Sequence, residues 1–261
     1  MTFSHRELSL FCMQLLILAA GYATRLYPLT QNQPKPLLPV GGKPMINHVL
    51  DHLSGIEGIE RVLVVTNNKF IKHFEDWSAS YDKKGATYDF KIINDGSTSD
   101  EDKLGAIGDI NLVIEREKIE GDLMVVAGDN LFDQSLVDFG RACAAQKAPV
   151  LGVYDVKDWE LVKKYNSISV DDKGVITHFE EKSPNPKSTL TGIALYYYPS
   201  TVIPLIKQYI LEGNNPDQPG RLVQWLYLRL PFYTWKVPGQ WFDIGGKESL
   251  AEADSIFSRK A

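Results

Sequence analysis

A single stretch, residues 15–44, constrains the fold of this chain more than any other. It reads LLILAAGYATRLYPLTQNQPKPLLPVGGKP and opens with an apolar run, Leu15–Leu18, of the kind that forms a buried parallel strand. Ala19, Ala20 and Gly21 follow, and residues this small let the backbone turn tightly and approach a ligand closely. The stretch therefore predicts a buried strand whose carboxyl end leads into a ligand-facing loop.

Two cations follow this strand. Arg25 carries a permanent, fork-shaped positive charge, and Lys35 is fixed between two prolines. A small-residue loop with an arginine and a lysine suits an anionic, phosphorylated ligand. The alternative is a tight turn that leaves Arg25 on the surface. Neither a dinucleotide-binding fingerprint nor a P-loop is present, because the second glycine of G-x-G-x-x-G is missing and Pro44 follows Lys43.

Apolar runs and helical patterns alternate along the chain. This alternation predicts an α/β fold, a Rossmann-like three-layer α/β/α arrangement with a mostly parallel, mixed central sheet. After the first strand, buried strands are predicted at Arg61–Thr66, Tyr88–Ile93, Leu123–Ala127 and Val150–Val156.

The second half of the chain changes this rhythm. Ser167–Val170 and Val175–Glu181 flank a turn sequence and predict a small β-hairpin lobe on the substrate side. A helix that begins at a serine cap is predicted at Ser200–Leu211. A group of late aromatic residues would form either core and acceptor-side wall or a subunit interface, which leaves a homo-oligomer open: Trp225, Tyr227, Phe232, Tyr233 and Trp235.

Composition excludes several classes of protein. At 261 residues with a formal net charge of -5, the chain is large enough for a sizeable core and too acidic for a general nucleic-acid binder. No apolar run is long enough to span a membrane. Cys12 and Cys143 lack metal-ligand spacing, which favours a reducing compartment and a cytoplasmic protein. Met13 is interpreted as the biological start, with residues 1–12 as an extension outside the core.

Two aspartates lie where a hard cation would bind. Gly128-Asp129-Asn130 follows a predicted buried strand, and ligands of open α/β sheets bind at the carboxyl ends of such strands. Asp243 lies among apolar neighbours in WFDIGG, where an unpaired buried charge is costly. Carboxylates in these positions suit Mg²⁺. The alternatives are an aspartate that caps the loop after the strand and one that caps the final helix.

Two weaker signals lie in the second half. Glu180-Glu181-Lys182 leaves the second strand of the hairpin, and an exposed ion pair is the alternative to a binding role there. Thr191-Gly192 precedes the strand predicted at Ala194–Tyr198 and either brings backbone close to a ligand or forms a strand-entry turn.

In their order along the chain, these motifs resemble those of the sugar-1-phosphate nucleotidylyltransferases. The sequences that carry the resemblance are LAAGYATRLYPLT…KPLLPVGGKPM, GDN, EEK and WFDIGGKESL, spread between Gln14 and Ala253. The likeness is strongest to the short branch of glucose-1-phosphate thymidylyltransferase-like and cytidylyltransferase-like enzymes. It implies transfer of a nucleoside monophosphate from dTTP, UTP or CTP to a sugar 1-phosphate, with Mg²⁺ as cofactor and pyrophosphate as the second product. The implied partners are these small molecules, with neither nucleic acid nor membrane.

The resemblance also implies roles for individual residues. The nucleotide would be bound by Leu18, Ala19, Ala20, Gly21, Arg25, Asn94 and Gly105. The acceptor would be bound by Gly128, Asn166, Glu181, Lys182 and Thr191, with Glu181 on sugar hydroxyls. Catalytic positive charge would come from Arg25, Lys35 and Lys182, and Mg²⁺ would be held by Asp129 and Asp243. The single domain, residues 1–261, would divide into a nucleotide-binding half, 13–150, and an acceptor-binding half, 151–261.

Several features depart from the family pattern. Ala23 replaces a usual glycine, and the family's EKP is EKSP here, which moves the proline to Pro184. Asn166 occupies a position where a sugar-contacting glycine is common, and Thr191–Leu195 has no unique alignment. The loop Asp95–Lys103 is longer and more acidic than usual. Because most of these departures lie on the base or acceptor side, the sequence supports the reaction better than the substrate.

Two alternative functions stay open. One is a CTP-dependent cytidylyltransferase that acts on a non-sugar phosphorylated acceptor such as phosphocholine. The other is a non-catalytic regulatory relative that binds a nucleotide sugar, since a fold does not by itself give an activity. The regulatory interpretation is disfavoured because all the ionic residues are present, namely Arg25, Lys35, Asp129, Lys182 and Asp243.

Overall fold

The computed structural model describes residues 13–81 and 88–259, and a seven-stranded sheet lies at its centre. The predicted extension, residues 1–12 with Cys12, lies outside the described residues. In chain order the strands are β1 (Met13–Leu18), β2 (Pro39–Val40), β3 (Lys43–Pro44), β4 (Ile59–Thr66), β5 (Asp89–Asn94), β6 (Asp122–Ala127), β7 (Asn130–Phe132), β8 (Val150–Asp155), β9 (Asn166–Val170), β10 (Ile176–Glu181), β11 (Leu190–Tyr198), β12 (Tyr233–Lys236) and β13 (Trp241–Asp243).

The helices cover this sheet and connect its strands. They are α1 (Met45–Leu53), α2 (Ile71–Ser80), α3 (Ala106–Glu117), α4 (Val137–Ala145), α5 (Trp159–Val162), α6 (Ile203–Leu211), α7 (Pro219–Leu226) and α8 (Lys247–Ser258). Short 3-10 turns occur at Thr24–Leu26, Lys35–Leu37 and Ser200–Val202. Within the described ranges, every helix is too short or too polar to cross a bilayer.

The central sheet is mixed and mostly parallel, as the sequence predicts. Its strand order is β12-β8-β11-β6-β1-β4-β5, and β11 alone runs antiparallel to its neighbours in this sheet. Leu18, at the end of β1, is in register with Val65 of β4 and Ala127 of β6. The carboxyl ends of these three parallel strands therefore meet at one edge, where ligands of α/β sheets bind.

The two faces of the sheet carry separate hydrophobic cores, because successive side chains of a strand point to opposite faces. In β1, Leu15 and Ile17 join the core beneath α1, α2 and α4, whereas Leu16 joins the core beneath α3, α6 and α7. A third cluster lies beside the sheet and packs α8 against β2 and the turn after β1. The late aromatic residues pack against the first two cores, as the core-and-wall interpretation expects: Trp225, Tyr227, Phe232, Tyr233 and Trp235.

Several local features differ in detail from the sequence prediction. The segment after β11 begins with the 3-10 turn Ser200–Val202, and α6 starts only at Ile203 without a side-chain cap. The prediction of a serine cap is therefore wrong. Pro204 lies in the first turn of α6 and has no N–H to be capped, while the N–H of Ser200 donates to Asp122 Oδ1 at 2.8 Å. The sequence analysis also does not predict the short strands β2, β3, β7 and β13 or the one-turn helix α5.

Candidate active site

Two adjoining clefts open at the carboxyl ends of β1 and β6. The larger, the loop cleft, has a volume of about 480 Å³ and lies between the loop after β1 and the start of α3. The smaller, the hairpin cleft, has a volume of about 200 Å³ and lies between β11, α7 and the β9–β10 hairpin. Asp129 lines both clefts and so marks the place where they meet.

A sharp turn after β1 brings Arg25 to the wall of the loop cleft. Ala23 adopts a left-handed conformation with φ 48° and ψ 43°, and its carbonyl accepts a hydrogen bond from Thr30 Oγ1 at 2.8 Å. The left-handed conformation costs an alanine about 1–2 kcal/mol, which the contacts of the folded turn offset in place of the usual glycine. Leu18, Ala20, Gly21 and Arg25 then line the cleft, as the resemblance implies.

Lys35 is held against Asp129 by close packing of two segments. A Cβ at Gly128 would lie 3.1 Å from Pro36 Cβ and 3.1 Å from Ile17 Cγ2, so the Pro34–Pro36 segment docks directly on the turn after β6. Lys35 Nζ lies 2.5 Å from Asp129 Oδ2. The proline-locked lysine therefore places its positive charge at the junction of the two clefts.

Asp243 is brought towards Asp129 by a pair of very short strands. β13 pairs with β7 so that Asp243 is opposite Asn130, the residue after Asp129. Burial raises the pKa of Asp243, and the negative charge of Asp129 raises it further. The hydroxyl of Tyr165 donates to Asp243 Oδ2 at 3.1 Å. Gly246 is the N-cap residue of α8, so Asp243 does not cap the final helix.

The donor set at this junction suits a magnesium ion that also binds a phosphorylated ligand. Mg²⁺ is usually held by one or two carboxylates together with water and substrate phosphates. Asp129 and Asp243 supply two such carboxylates; burial and then the charge of Asp129 raise the pKa of Asp243, and a bound cation would offset both effects. Within residues 13–81 and 88–259, no group of three His, Cys, Asp or Glu side chains forms an alternative metal site.

Glu181 is a half-buried acid on the wall of the hairpin cleft. A Cβ at Gly220 would lie only 2.0 Å from Glu181 Oε2, so the carboxylate lies directly against the backbone of α7. Burial raises the pKa of Glu181, while the charges of Lys182 and Arg221 and a hydrogen bond from Asn166 counteract that rise. An acid held in this way at a cleft wall is suited to accept hydrogen bonds from hydroxyl groups.

Asn166 lines the hairpin cleft, but its side-chain amide binds the neighbouring strand. Its Nδ2 donates to the carbonyl of Gly192 at 3.1 Å, and its Oδ1 accepts from the N–H of Gly192 at 2.6 Å. Thr191 Oγ1 donates to the same Oδ1 at 3.2 Å. Asn166 and Thr191, both expected on the acceptor, are thus joined in a clamp between β9 and β11.

Other expected site residues lie outside the lining of both clefts, as far as the described residues show: Ala19, Lys35, Asn94, Gly128, Lys182 and Thr191. The side chain of Asn94 donates to Asn68 Oδ1 at 2.8 Å and accepts from the N–H of Gly96. Lys182 is exposed with φ 51°, and its N–H donates to the carbonyl of Tyr165 at 2.6 Å. Gly105 does line the loop cleft, where its φ of +79° starts α3.

The structure also places residues in the clefts that the sequence analysis did not single out. Lys164, Tyr165 and Trp241 line the hairpin cleft. Asp109 lines the loop cleft and is buried, with 6% exposure. A signal for Asp109 exists in the sequence, because it lies four residues before Val113 and therefore on the buried face of α3.

Comparison with known proteins places this geometry in a family. Residues 14–259 match the family model described as Nucleotidyl transferase. The chain is 32% identical over 255 residues to a glucose-1-phosphate thymidylyltransferase of Neisseria meningitidis, a match that covers 94% of this chain and 82% of the relative. It is 24% identical over 249 residues to the bifunctional protein GlmU of Methanocaldococcus jannaschii, covering 95% of this chain and 55% of the relative. The chain thus spans about half the length of that relative.

A solved structure has the same fold. UDP-glucose pyrophosphorylase complexed with UDP-glucose superposes with a TM-score of 0.80 at 21% identity, covering 96% of this chain and 100% of that one. The superposition confirms the predicted Rossmann-like α/β/α fold with its mostly parallel mixed sheet.

Proposed function

The chain belongs to the nucleotidyl transferase family, and from this premise we propose that it transfers a nucleoside monophosphate from a nucleoside triphosphate to a sugar 1-phosphate. A phosphate oxygen of the sugar 1-phosphate attacks the α-phosphorus, a new P–O bond forms, and pyrophosphate leaves with the electron pair of the broken bond. The products are a nucleoside diphosphate sugar and pyrophosphate. The nucleophile is already an anion, so the reaction requires no general base.

The observation that carries this proposal is the convergence of opposite charges between two clefts. Asp129 lines both clefts, Lys35 lies 2.5 Å from it, and Asp243 lines the hairpin cleft close enough for the charge of Asp129 to raise its pKa. A reaction between two polyanions is limited by bringing them together in line, and catalysis then comes from positioning and charge neutralisation. Each reactant therefore has a cleft of its own, and the charged groups lie where the two clefts meet.

Each charged residue has a defined task in this scheme. Arg25, on the wall of the loop cleft, binds the triphosphate and neutralises charge that develops towards pyrophosphate. Lys35 holds Asp129 in place and adds positive charge beside the α-phosphate. Tyr165 fixes the carboxylate of Asp243 through its hydroxyl. Mg²⁺, held by Asp129 and Asp243, would supply charge neutralisation and alignment of the phosphates of both reactants.

The acceptor belongs in the hairpin cleft, which residues 151–261 largely build. Glu181 accepts hydrogen bonds from sugar hydroxyls, and Lys164 and Lys182 supply positive charge near the entrance for the acceptor phosphate. Support for a sugar comes from the relatives: one is named a glucose-1-phosphate thymidylyltransferase, and the superposed structure holds UDP-glucose. Residues 13–150 form most of the loop cleft and bind the nucleotide.

A matrix of nucleoside triphosphates and phosphorylated acceptors tests the proposal by pyrophosphate release with Mg²⁺. We expect release with at least one sugar 1-phosphate and none with phosphocholine. Asp243→Asn should lower turnover by about a hundred- to thousand-fold, the loss typical of removing one group that stabilises transition-state charge. Asp138→Asn is the matched control, because this exposed acid on α4 pairs only with Arg141 among the described residues.

Three results would count against the proposal. Release with phosphocholine and no sugar phosphate would favour the non-sugar cytidylyltransferase. Binding of a nucleotide sugar without release in any combination would favour the regulatory relative. More than about a tenth of wild-type turnover in Asp243→Asn would remove Asp243 from the metal site.

A further inference from the structure

The loop cleft contains a buried carboxyl group to which the reaction assigns no task. Asp109 lies in the first turn of α3, has 6% exposure and lines the cleft. Among the described residues, no N–H or O–H group reaches its Oδ1. A buried carboxyl without such a donor is costly, and Asp109 can be satisfied from two sides: by the proton that it shares with Asp95, and by a ligand donor where it lines the cleft.

Asp95 is the hydrogen-bonding neighbour of Asp109 behind the cleft wall. Oδ1 of Asp95 accepts from the N–H of Ser97 at 2.7 Å and from Ser97 Oγ at 2.8 Å. Burial and the negative charge of Asp95 raise the pKa of Asp109 to about 8. The two carboxyl groups therefore share one proton at neutral pH, and this proton lies between them. Towards the cleft, Asp109 offers lone pairs and thus acts as a hydrogen-bond acceptor.

The loop Asp95–Lys103, which carries Asp95 of this pair, is held by several hydrogen bonds and ion pairs. Asp102 accepts hydrogen bonds from the N–H groups of Thr98 and Ser99 at 3.0 and 2.7 Å. Lys103 lies 3.2 Å from Asp100 and 3.6 Å from Asp217, so this cation of the cleft rim is paired with two acids. The loop therefore holds several carboxylates along one side of the loop cleft. We call this side the acid wall: Asp100, Asp109 and Asp217.

We propose, on the basis of the nucleotidyl transfer proposed above, that Asp109 reads the base of the nucleoside triphosphate by accepting a hydrogen bond from an exocyclic amino group. The chain then uses a triphosphate with an amino-bearing base, of which CTP is the smallest, in preference to UTP or dTTP. Asp109 acts here as a specificity-determining residue and takes no part in bond making.

The preference follows from the groups on the base edges. Cytosine carries an amino group at position 4, which donates to a carboxyl lone pair. Uracil and thymine carry a carbonyl oxygen at the same position, and two acceptors facing each other in a buried site leave both unsatisfied. Sites built for a hydrogen-bonding group discriminate strongly against an analogue that lacks it. For the same reason, ATP, with its 6-amino group, should bind more tightly than its 6-carbonyl analogue ITP.

Equilibrium binding to the intact chain tests this inference without turnover. Calorimetry with Mg²⁺ compares CTP with UTP and ATP with ITP, pairs that differ in whether an amino or a carbonyl group occupies one position. We expect at least tenfold tighter binding of the amino member in at least one pair. Asp109→Asn should shift the CTP-to-UTP affinity ratio towards UTP by at least tenfold, because an amide also donates. Asp100→Asn, which removes an acid from the rim of the same cleft, should keep the wild-type ratio.

The outcomes separate this inference from the proposed function. Tighter binding of UTP and ITP by the wild-type chain would overturn the base assignment even if the Asp109 variant did not fold. An equal shift in Asp100→Asn would show that general charge, and not Asp109, sets the ratio. Turnover of a sugar 1-phosphate with UTP or dTTP but not with CTP or ATP would overturn the inference and leave the proposed function intact. Absence of binding for every triphosphate would overturn both.

Discussion

Asp109 connects stability to pH at the scale of a single residue. Its pKa is about 8 in the folded chain against an ordinary 3.8, so the folded chain keeps a proton that the unfolded chain loses. Stability must therefore fall as pH rises from about 4 to about 8, by up to roughly 1.4 kcal/mol per pH unit. We predict that Asp109→Asn flattens this slope in urea unfolding between pH 5.5 and 7.5.

The control for that measurement is Asp138→Asn, which removes an acid that is exposed on α4. It should keep the wild-type slope. Parallel stability curves for wild type and Asp109→Asn would show that the carboxyl of Asp109 does not share a proton with Asp95.

Gly220 tests the role of Glu181 without changing the carboxylate itself. A Cβ at position 220 would overlap Glu181 Oε2, which lies 2.0 Å away, so Gly220→Ala must displace the end of this side chain. Because alanine is favoured inside a helix, the variant should fold. We predict that KM for the sugar 1-phosphate rises about tenfold, the loss of roughly one hydrogen bond, while KM for the triphosphate stays unchanged. Equal changes in both constants would argue against a separate acceptor site at Glu181.

For individual residues, the sequence predicts the loop after β1 well and the buried acid Asp109 poorly. Leu18, Gly21 and Arg25 line the loop cleft because local small residues dictate the turn they form. The resemblance places Asn94 beside the base, and in the structure its side chain bonds to Asn68; Asp109, which the sequence analysis does not single out, lines the cleft from α3. Which side chain enters a cleft depends on how a helix packs on the sheet, and this packing cannot be predicted from the spacing of residues along the chain.

Among the secondary-structure elements, the clamp between β9 and β11 decides whether the hairpin lobe stays on the sheet. Besides its hydrogen bond to Glu181, the side chain of Asn166 bonds to Gly192 and Thr191 in buried surroundings. We predict that Asn166→Ala lowers the free energy of unfolding by about 1–3 kcal/mol, because it leaves backbone groups of Gly192 without partners. Urea unfolding measures this loss.

The control for Asn166→Ala is Asn68→Ala, which removes an exposed side-chain amide that accepts a hydrogen bond from Asn94. It should change the free energy of unfolding by no more than about 0.5 kcal/mol. Unchanged stability of Asn166→Ala together with a raised KM for the acceptor would contradict the clamp. It would support the direct acceptor contact that the family resemblance implies.

The long strands and helices follow from apolar runs, and the short ones do not. β1, β4 and β6 are predicted because each is a continuous buried run, typical of a parallel strand covered on both faces. β7 and β13 have three residues each, too few to show a periodicity. Their pairing is nevertheless what brings Asp243 opposite Asn130 and so close to Asp129. The meeting of the two acids was predictable only from the family resemblance.

In the molecule as a whole, the strand order places two clefts on either side of one aspartate. β11 lies antiparallel beside β6, so that Ala194 and Ala127 line both clefts together with Asp129. One cleft lies against the acid wall with Asp109, and the other against the hairpin with Glu181. This arrangement suits a reaction in which a phosphoryl-linked group is transferred between two anionic reactants, one in each cleft, beside the shared residue Asp129.

The measurement that tests this account most directly follows the α-phosphate itself. The intact chain is incubated with Mg²⁺, a sugar 1-phosphate and triphosphates that carry ³²P at the α-position, and the labelled products are separated. We predict that the label appears in a nucleoside diphosphate sugar, in an amount equal to the pyrophosphate released, and that Asp129→Asn abolishes this transfer. Label that stays in the triphosphate under every combination, or that appears only in free nucleoside monophosphate, would contradict it.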